Sequence, residues 1–238
     1  MNAKKLSFLL LILVAVACTN RSTSSEQDEM RHWNNVLQQI NALLLENKAR
    51  QTLDLAKQTL PEILESAEKN GTTDTLIYYA RKIFNACGNN YINTKQYKDG
   101  IDYMDSIGNH PLIREHCPHE LLSFKAGLNQ LYGNNPEAVR LAEDYLQLPV
   151  CTSANDFIRQ AEIISGVYMY SGNNLPKAIQ ILEKAIDVYR KGGNFPNMLR
   201  IMSRLGIYYH LSGEYEKAIA TNQEAIATYN DSIAPGNV

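Results

Sequence analysis

The sequence predicts an all-α chain, an array of about five antiparallel helix hairpins, and three observations carry that prediction. The stretch SGVYMYSGNNLPKAIQILEKAI at 165–186 returns forty residues later as LGIYYHLSGEYEKAIATNQEAI. Gly88, Gly127, Gly166 and Gly206 recur at intervals of 39, 39 and 40, and a second series, Gly100, Ala138, Ala178 and Ala218, trails them by 11 or 12 residues. A fixed period of 20 to 50 residues marks stacked supersecondary units, and two small residues in phase mark two helices in close approach. No sustained period-two alternation argues for a strand.

The elements follow in chain order. Lys4 and Lys5 precede the apolar run LSFLLLILVAVA at 6–17. A run of that length is too short to span a bilayer as a helix, which takes about 20 residues, so 1–17 reads as a signal peptide. Residues 18–28 begin with Cys18 and continue as a polar tether. The repeat domain occupies 29–231, and 232–238 is a frayed tail. Apolar spacing predicts helices at about 28–46, 48–69, 74–93, 96–107, 119–132, 136–148, 154–171, 176–191, 195–212 and 215–230. In the eighth of these, Ala178, Leu182, Ala185 and Tyr189 follow i, i+4, i+7, i+11, and Ile179 and Ile186 broaden the stripe. Turn signals stand between paired helices: TKQ at 94–96, GNNP at 133–136, GNNLP at 172–176 and SGE at 212–214. Pro136 and Pro176 fit a first helical turn, where a missing N–H costs nothing, with Asn135 and Asn174 as cap candidates.

Composition narrows the function. With 45% hydrophobic and 20% charged residues and a formal charge of −2, the chain is ordinary globular material. It lacks the concentrated basic footprint of a nucleic-acid binder. The segment HPLIREHCPHE at 110–120 gathers His110, His116, Cys117 and His119, residue types that zinc takes at short spacings. No second paired motif completes a ligand set, so a solvated loop is expected and no metal or cofactor. No Walker, zincin, nucleophile-elbow or dinucleotide motif occurs, and no catalytic residue is assigned. A metal-dependent enzyme using the His/Cys cluster is the remaining enzymatic alternative. Cys87 falls at a packed position, whereas Cys117 and Cys151, on successive connectors, are candidates for a disulfide in an oxidising envelope.

The residues resemble the tetratricopeptide repeat (TPR), whose hairpins follow W-x2-L-G-x2-Y and then A-x3-F. Leu205, Gly206, Tyr209 and Ala218 carry the likeness in the last copy, with Met202 and Asn222 in its aromatic slots, and Phe84, Cys87, Gly88, Tyr91, Tyr97, Gly100 and Met104 carry it in an earlier one. The 165–186 copy keeps Gly166, Ala178, Leu182 and Ala185 but places Glu162 and Met169 in aromatic slots. Around Gly127 the pattern yields Leu121, Phe124, Leu128 and Leu131, which implies a slipped register. The resemblance implies a right-handed superhelix, a TPR-like α-solenoid. Its concave groove would bind a protein or peptide through Asn85, Asn89, Gln160, Tyr170, Arg200, Ser203, Arg204 and His210. AVAC at 15–18 resembles a bacterial lipobox, although Ala15-Val16-Ala17 also suits an ordinary signal peptidase. The lipobox reading implies lipidation at Cys18 and a lipid-anchored cell-envelope protein, with the outer membrane favoured. The layout also resembles the periplasmic sensor region of Bacteroidetes two-component regulators, so a stand-alone or truncated relative is the second functional class.

Shifting the fourth hairpin by forty converts Ile181, Leu182 and Val188 to Thr221, Asn222 and Thr228, while Ile179, Ile186 and Tyr189 become Ile219, Ile226 and Tyr229. A terminal repeat must tolerate water on its far side. The expectation is therefore that the last hairpin is a cap, apolar inward and polar outward.

Overall fold

A computed structural model of the chain describes residues 27–149, 154–192 and 195–232. Among these residues all regular structure is α-helical: α1 (27–45), α2 (Ala49–Asn70), α3 (Asp74–Asn93), α4 (Tyr97–Ile107), α5 (Pro111–His116), α6 (Pro118–Tyr132), α7 (Asn135–Gln147), α8 (Ala154–Tyr170), α9 (Leu175–Gly192), α10 (Phe195–Ser212) and α11 (Tyr215–Ser232). The helices expected from apolar spacing all occur, and α5 is an addition. It forms where a loop was expected because Pro111 supplies a preset φ at the first position and the His110 ring caps it, Nδ1 accepting from the Leu112 N–H at 3.2 Å. The leader, Cys18, the tether as far as residue 26, Cys151 and the tail from 233 lie outside the described residues, while residues 27 and 28 of the expected tether open α1.

The fold divides into two compact units, one up to Cys87 and one from Gly88. In the first, the Trp33, Val36 and Ile40 stripe of α1 and Leu53, Leu60 and Ile63 of α2 are all buried, at the i, i+3, i+7 and i, i+7, i+10 spacings that gather side chains on one helix face. Trp33 lies 5.8 Å, centroid to centroid, from Tyr79 of α3. Ser66 on α2 donates to the Glu29 carboxylate of α1 at 2.8 Å.

The second unit stacks α6–α7, α8–α9 and α10–α11 hairpins, with α6 also against α4 and α8, and α10 against α9. Its core runs through Leu141, Ile164, Tyr168, Leu182, Ile201 and Leu205. The small-residue series marks the closest approaches. A Cβ on Gly88 would fall 2.4 Å from the Phe124 ring, and one on Gly127 2.7 Å from Ile163 Cγ2. Both contacts join residues 36 apart on the leading helices of successive hairpins. Gly166 has a looser neighbour 36 residues back, Gln130 Oε1 at 3.8 Å, whereas Gly206 faces Asn222 of its own hairpin. Gly100 packs on Tyr91 and Leu128. Phe124 and Leu128 are accordingly core residues turned towards the preceding helices rather than groove residues.

One left-handed residue closes each hairpin turn: Asn47, Lys95, Gly133, Asn173 and Gly213 have φ of 57°, 59°, 96°, 42° and 81°. In four of these turns the N–H one residue later bonds the carbonyl five residues back, as in Asn134 to Asn129 at 2.8 Å and Glu214 to Tyr209 at 2.8 Å. This is the Schellman closure, which satisfies carbonyls left over at a helix end. The fourth turn is one residue longer and bonds Asn174 N–H to Tyr168 O at 2.9 Å. Asn174 caps α9, accepting from the Lys177 N–H at 3.1 Å. The α7 cap position belongs to Asn134 rather than Asn135, whose Oδ1 instead accepts from Ser171 Oγ at 2.8 Å.

The last hairpin reverses the expected cap. Ile179 and Ile186 of α9 are 7% and 4% exposed, but their counterparts Ile219 and Ile226 are 58% and 62% exposed. Ile181 faces the preceding hairpin in α9, and its counterpart Thr221 lines a depression with Ile186 and Met202. Of the polar substitutions, Thr221 therefore falls on the side turned to the preceding hairpin, whereas Asn222 lies over Gly206 of its own hairpin and is exposed. The side on which a following helix would lie keeps its apolar residues.

Candidate functional site

The geometry converges on the shared face of α8 and α10. Glu162, on α8, is buried, and its carboxylate accepts from Arg200 Nη2 of α10 at 2.6 Å. One helical turn on, Arg204 donates through Nη1 to the backbone carbonyl of the same Glu162 at 3.0 Å. A half-exposed arginine and a half-buried one are thus fixed by one residue, the first by its carboxylate and the second by its backbone carbonyl. Their i, i+4 spacing on α10 lets both reach it. Beside them Tyr208 is buried, which pushes its hydroxyl above the usual phenol range, with Arg204 partly opposing the shift and Tyr170 adding to it. Tyr170 itself is 68% exposed, and Ser203, Ile207 and His210 are exposed along α10. The His210 ring meets Tyr215 edge-on at 5.3 Å. The face therefore offers two oriented guanidinium groups, a hydroxyl, an imidazole and two solvated apolar side chains on rigid helices.

Of the residues expected to bind a partner, Arg200 and Arg204 meet at Glu162, and Tyr170 lies within electrostatic reach of the same cluster. Ser203 and His210 share the exposed side of α10. Gln160 does not face solvent: it is 3% exposed, and its Oε1 accepts from the Tyr145 hydroxyl at 3.1 Å. Asn85 and Asn89 are half-buried on α3, in the first and second unit respectively. Glu162 is the residue that sequence reasoning missed. Its signal was an acid in a slot where the repeat pattern takes an aromatic, followed 38 and 42 residues later by arginines.

The His/Cys segment forms no ligand cluster. His110 is spent on capping α5, Cys117 is buried, and His119 Nε2 is 2.7 Å from the Pro149 carbonyl with its ring against Tyr145. Among the described residues no group of three metal-binding side chains assembles. No described helix is long and apolar enough to cross a membrane.

These hairpins define an all-α repeat array of the TPR-like kind. Residues 161–231 match the sequence profile of the tetratricopeptide repeat. Solved structures similar in fold include the following two. The nearly identical TPR-like repeats of a Podosopora anserina kinesin light chain align with a TM-score of 0.52 and 12% identity, over 84% of this chain and 96% of that one. A MamA segment from Desulfovibrio magneticus RS-1 aligns with a TM-score of 0.50 and 13% identity, over 87% and 98%. No curated protein sequence matches this chain.

Proposed function

We propose that this chain is a non-catalytic protein–protein interaction module whose α8–α10 face takes a protein or peptide segment. The observation that supports the reading best is the Glu162 clamp, which holds Arg200 and Arg204 in place before any partner arrives and so removes part of the ordering cost of binding. With one charge of the pair already answered by Glu162, the face suits a segment carrying hydrogen-bond acceptors and an apolar or aromatic side chain for Tyr170 and Ile207. A membrane tether through lipidated Cys18, in the cell envelope, completes the proposal. It rests on the apolar leader ending at Cys18. The test is crosslinking in the native envelope, repeated with Tyr170→Ala, Arg200→Ala and Arg204→Ala. One defined partner, lost in all three variants, is expected; a partner captured equally by all three would refute the site.

A further inference from the structure

The exposed side of α11 carries Tyr215, Ile219, Asn222, Ile226 and Tyr229, spaced 4, 3, 4 and 3 residues apart. That is the seam of a helix built to meet another helix. All five are exposed, and the opposite side of α11, with Ala218, Thr221, Ala225 and Thr228, is the one turned into the fold. The seam continues onto α10 through exposed Ile207 and Leu211, around an open depression of about 370 Å³ floored by Gly206 and Ala218.

Two features of this surface select its occupant. The order Tyr, Ile, Asn, Ile, Tyr reads the same in both directions, to within one residue of spacing. A second α11 laid antiparallel across it places Asn222 opposite Asn222, Ile219 opposite Ile226 and Tyr215 opposite Tyr229. The exposed Asn222 amide rests over Gly206 of α10; turned outward, it both donates and accepts, so two of them would satisfy each other across a twofold axis and fix the register. The second feature is charge. Flanking residues Ala220, Gln223, Ala227 and Asn230 are uncharged, Lys217 is answered by Glu214 at 2.5 Å and Glu224 by Arg190 at 2.6 Å, and exposed Glu216 is the charge left beside Tyr215. In an antiparallel pair about residue 222 the two Glu216 side chains fall at opposite ends, about 18 Å apart along the axis and beyond a Debye length, so they do not repel an identical copy. Six large side chains, each about half exposed, offer on the order of 500 Å² per copy, or about 1,000 Å² in a pair, at the lower bound of a specific interface.

We propose that α11 is a twofold-symmetric self-association surface that takes a second copy of this chain, antiparallel about Asn222. Sedimentation velocity of the purified full chain, in mild detergent and under reducing conditions, tests it. A concentration-dependent dimer with a dissociation constant on the order of micromolar is expected. Ile226→Asp weakens it about tenfold or more with an unchanged circular dichroism spectrum. Tyr215→Lys and Tyr229→Glu each weaken it, and the two together in one chain restore it, because lysine then faces glutamate across the axis. A monomer at all concentrations, a dimer indifferent to Ile226→Asp, or a double variant no better than the singles overturns the proposal. So does a chain that dimerises only after residues 233–238 are removed, or one that uses the face to bind neutral vesicles instead.

Discussion

Replacing Gly88 and Gly166 with alanine, two substitutions at equivalent repeat positions, is expected to move stability in opposite directions. Both glycines lie inside helices, where alanine is favoured by about 1 kcal/mol. At Gly166 the new methyl meets only Gln130 Oε1 at 3.8 Å, an ordinary contact, so the helical preference prevails. The gain is about 0.5–1 kcal/mol. At Gly88 the methyl falls 2.4, 2.5 and 2.6 Å from Cδ2, Cγ and Cδ1 of Phe124. Three atoms of one flat ring are involved, and Phe124 is buried, so no rotation about its own axis clears the clash. Overpacking of this kind costs about 1–3 kcal/mol, and contacts this short belong at its upper end. After the helical gain, Gly88→Ala is expected to lose about 1–2 kcal/mol, leaving the two variants about 1.5–3 kcal/mol apart. Urea denaturation followed by far-ultraviolet circular dichroism measures both. Adding Phe124→Leu to Gly88→Ala recovers more than additivity allows. If both glycine variants gain stability, the leading helices of successive hairpins do not approach as described and the reasoning fails.

Further outcomes follow from other contacts. Gly213→Ala places a Cβ at φ 81° in open space, so it costs about 1 kcal/mol in backbone strain alone, read from the same denaturation curves. Glu162→Gln removes the ion pair with Arg200; it is expected to lose about 1 kcal/mol and to weaken partner capture, whereas tight capture with lost stability would separate folding from binding. Glu143 is held below the ordinary carboxylate range chiefly by its hydrogen bond from Lys177, with Tyr168 assisting against the effect of burial. A depressed carboxylate contributes stability above its unfolded value of about 4.3, and that contribution is lost as pH falls through the folded value. Lys177→Met is therefore expected to melt below the parent at neutral pH, and the gap should close as pH drops below about 4. A gap constant with pH would assign the loss to the contact of Lys177 with the Tyr168 ring instead.

Much of the fold was legible because repetition multiplies a weak signal. No single hairpin matches the repeat pattern well, yet the forty-residue recurrence of small residues located the helix pairs to within a few residues at each end. The short α5 was not legible, because six residues carry too little periodicity to register and its proline could equally open a turn. The face of α11 was misread for a different reason. Periodicity shows that a helix has an apolar stripe and not which neighbour the stripe meets, and Thr221 and Ile219 are only two residues apart. The candidate site was legible in part: Arg200 and Tyr170 were named from their place in the repeat and Arg204 from its spacing to Arg200, and all three fell beside Glu162 on the α8–α10 face. Gln160 did not, since a position early in α8 is covered by the end of α7 through Tyr145. Glu162 was hidden because an acid in an aromatic slot reads as a defect in a repeat until the arginines opposite it are seen.

The central claim is that the α8–α10 face is where this chain meets its partner. Hydrogen exchange of the chain, with and without the protein captured by crosslinking, tests it most directly. The account predicts slowed exchange in segments spanning 159–170 and 198–211. Protection confined to other helices, with α8 and α10 exchanging as in the free chain, would contradict it.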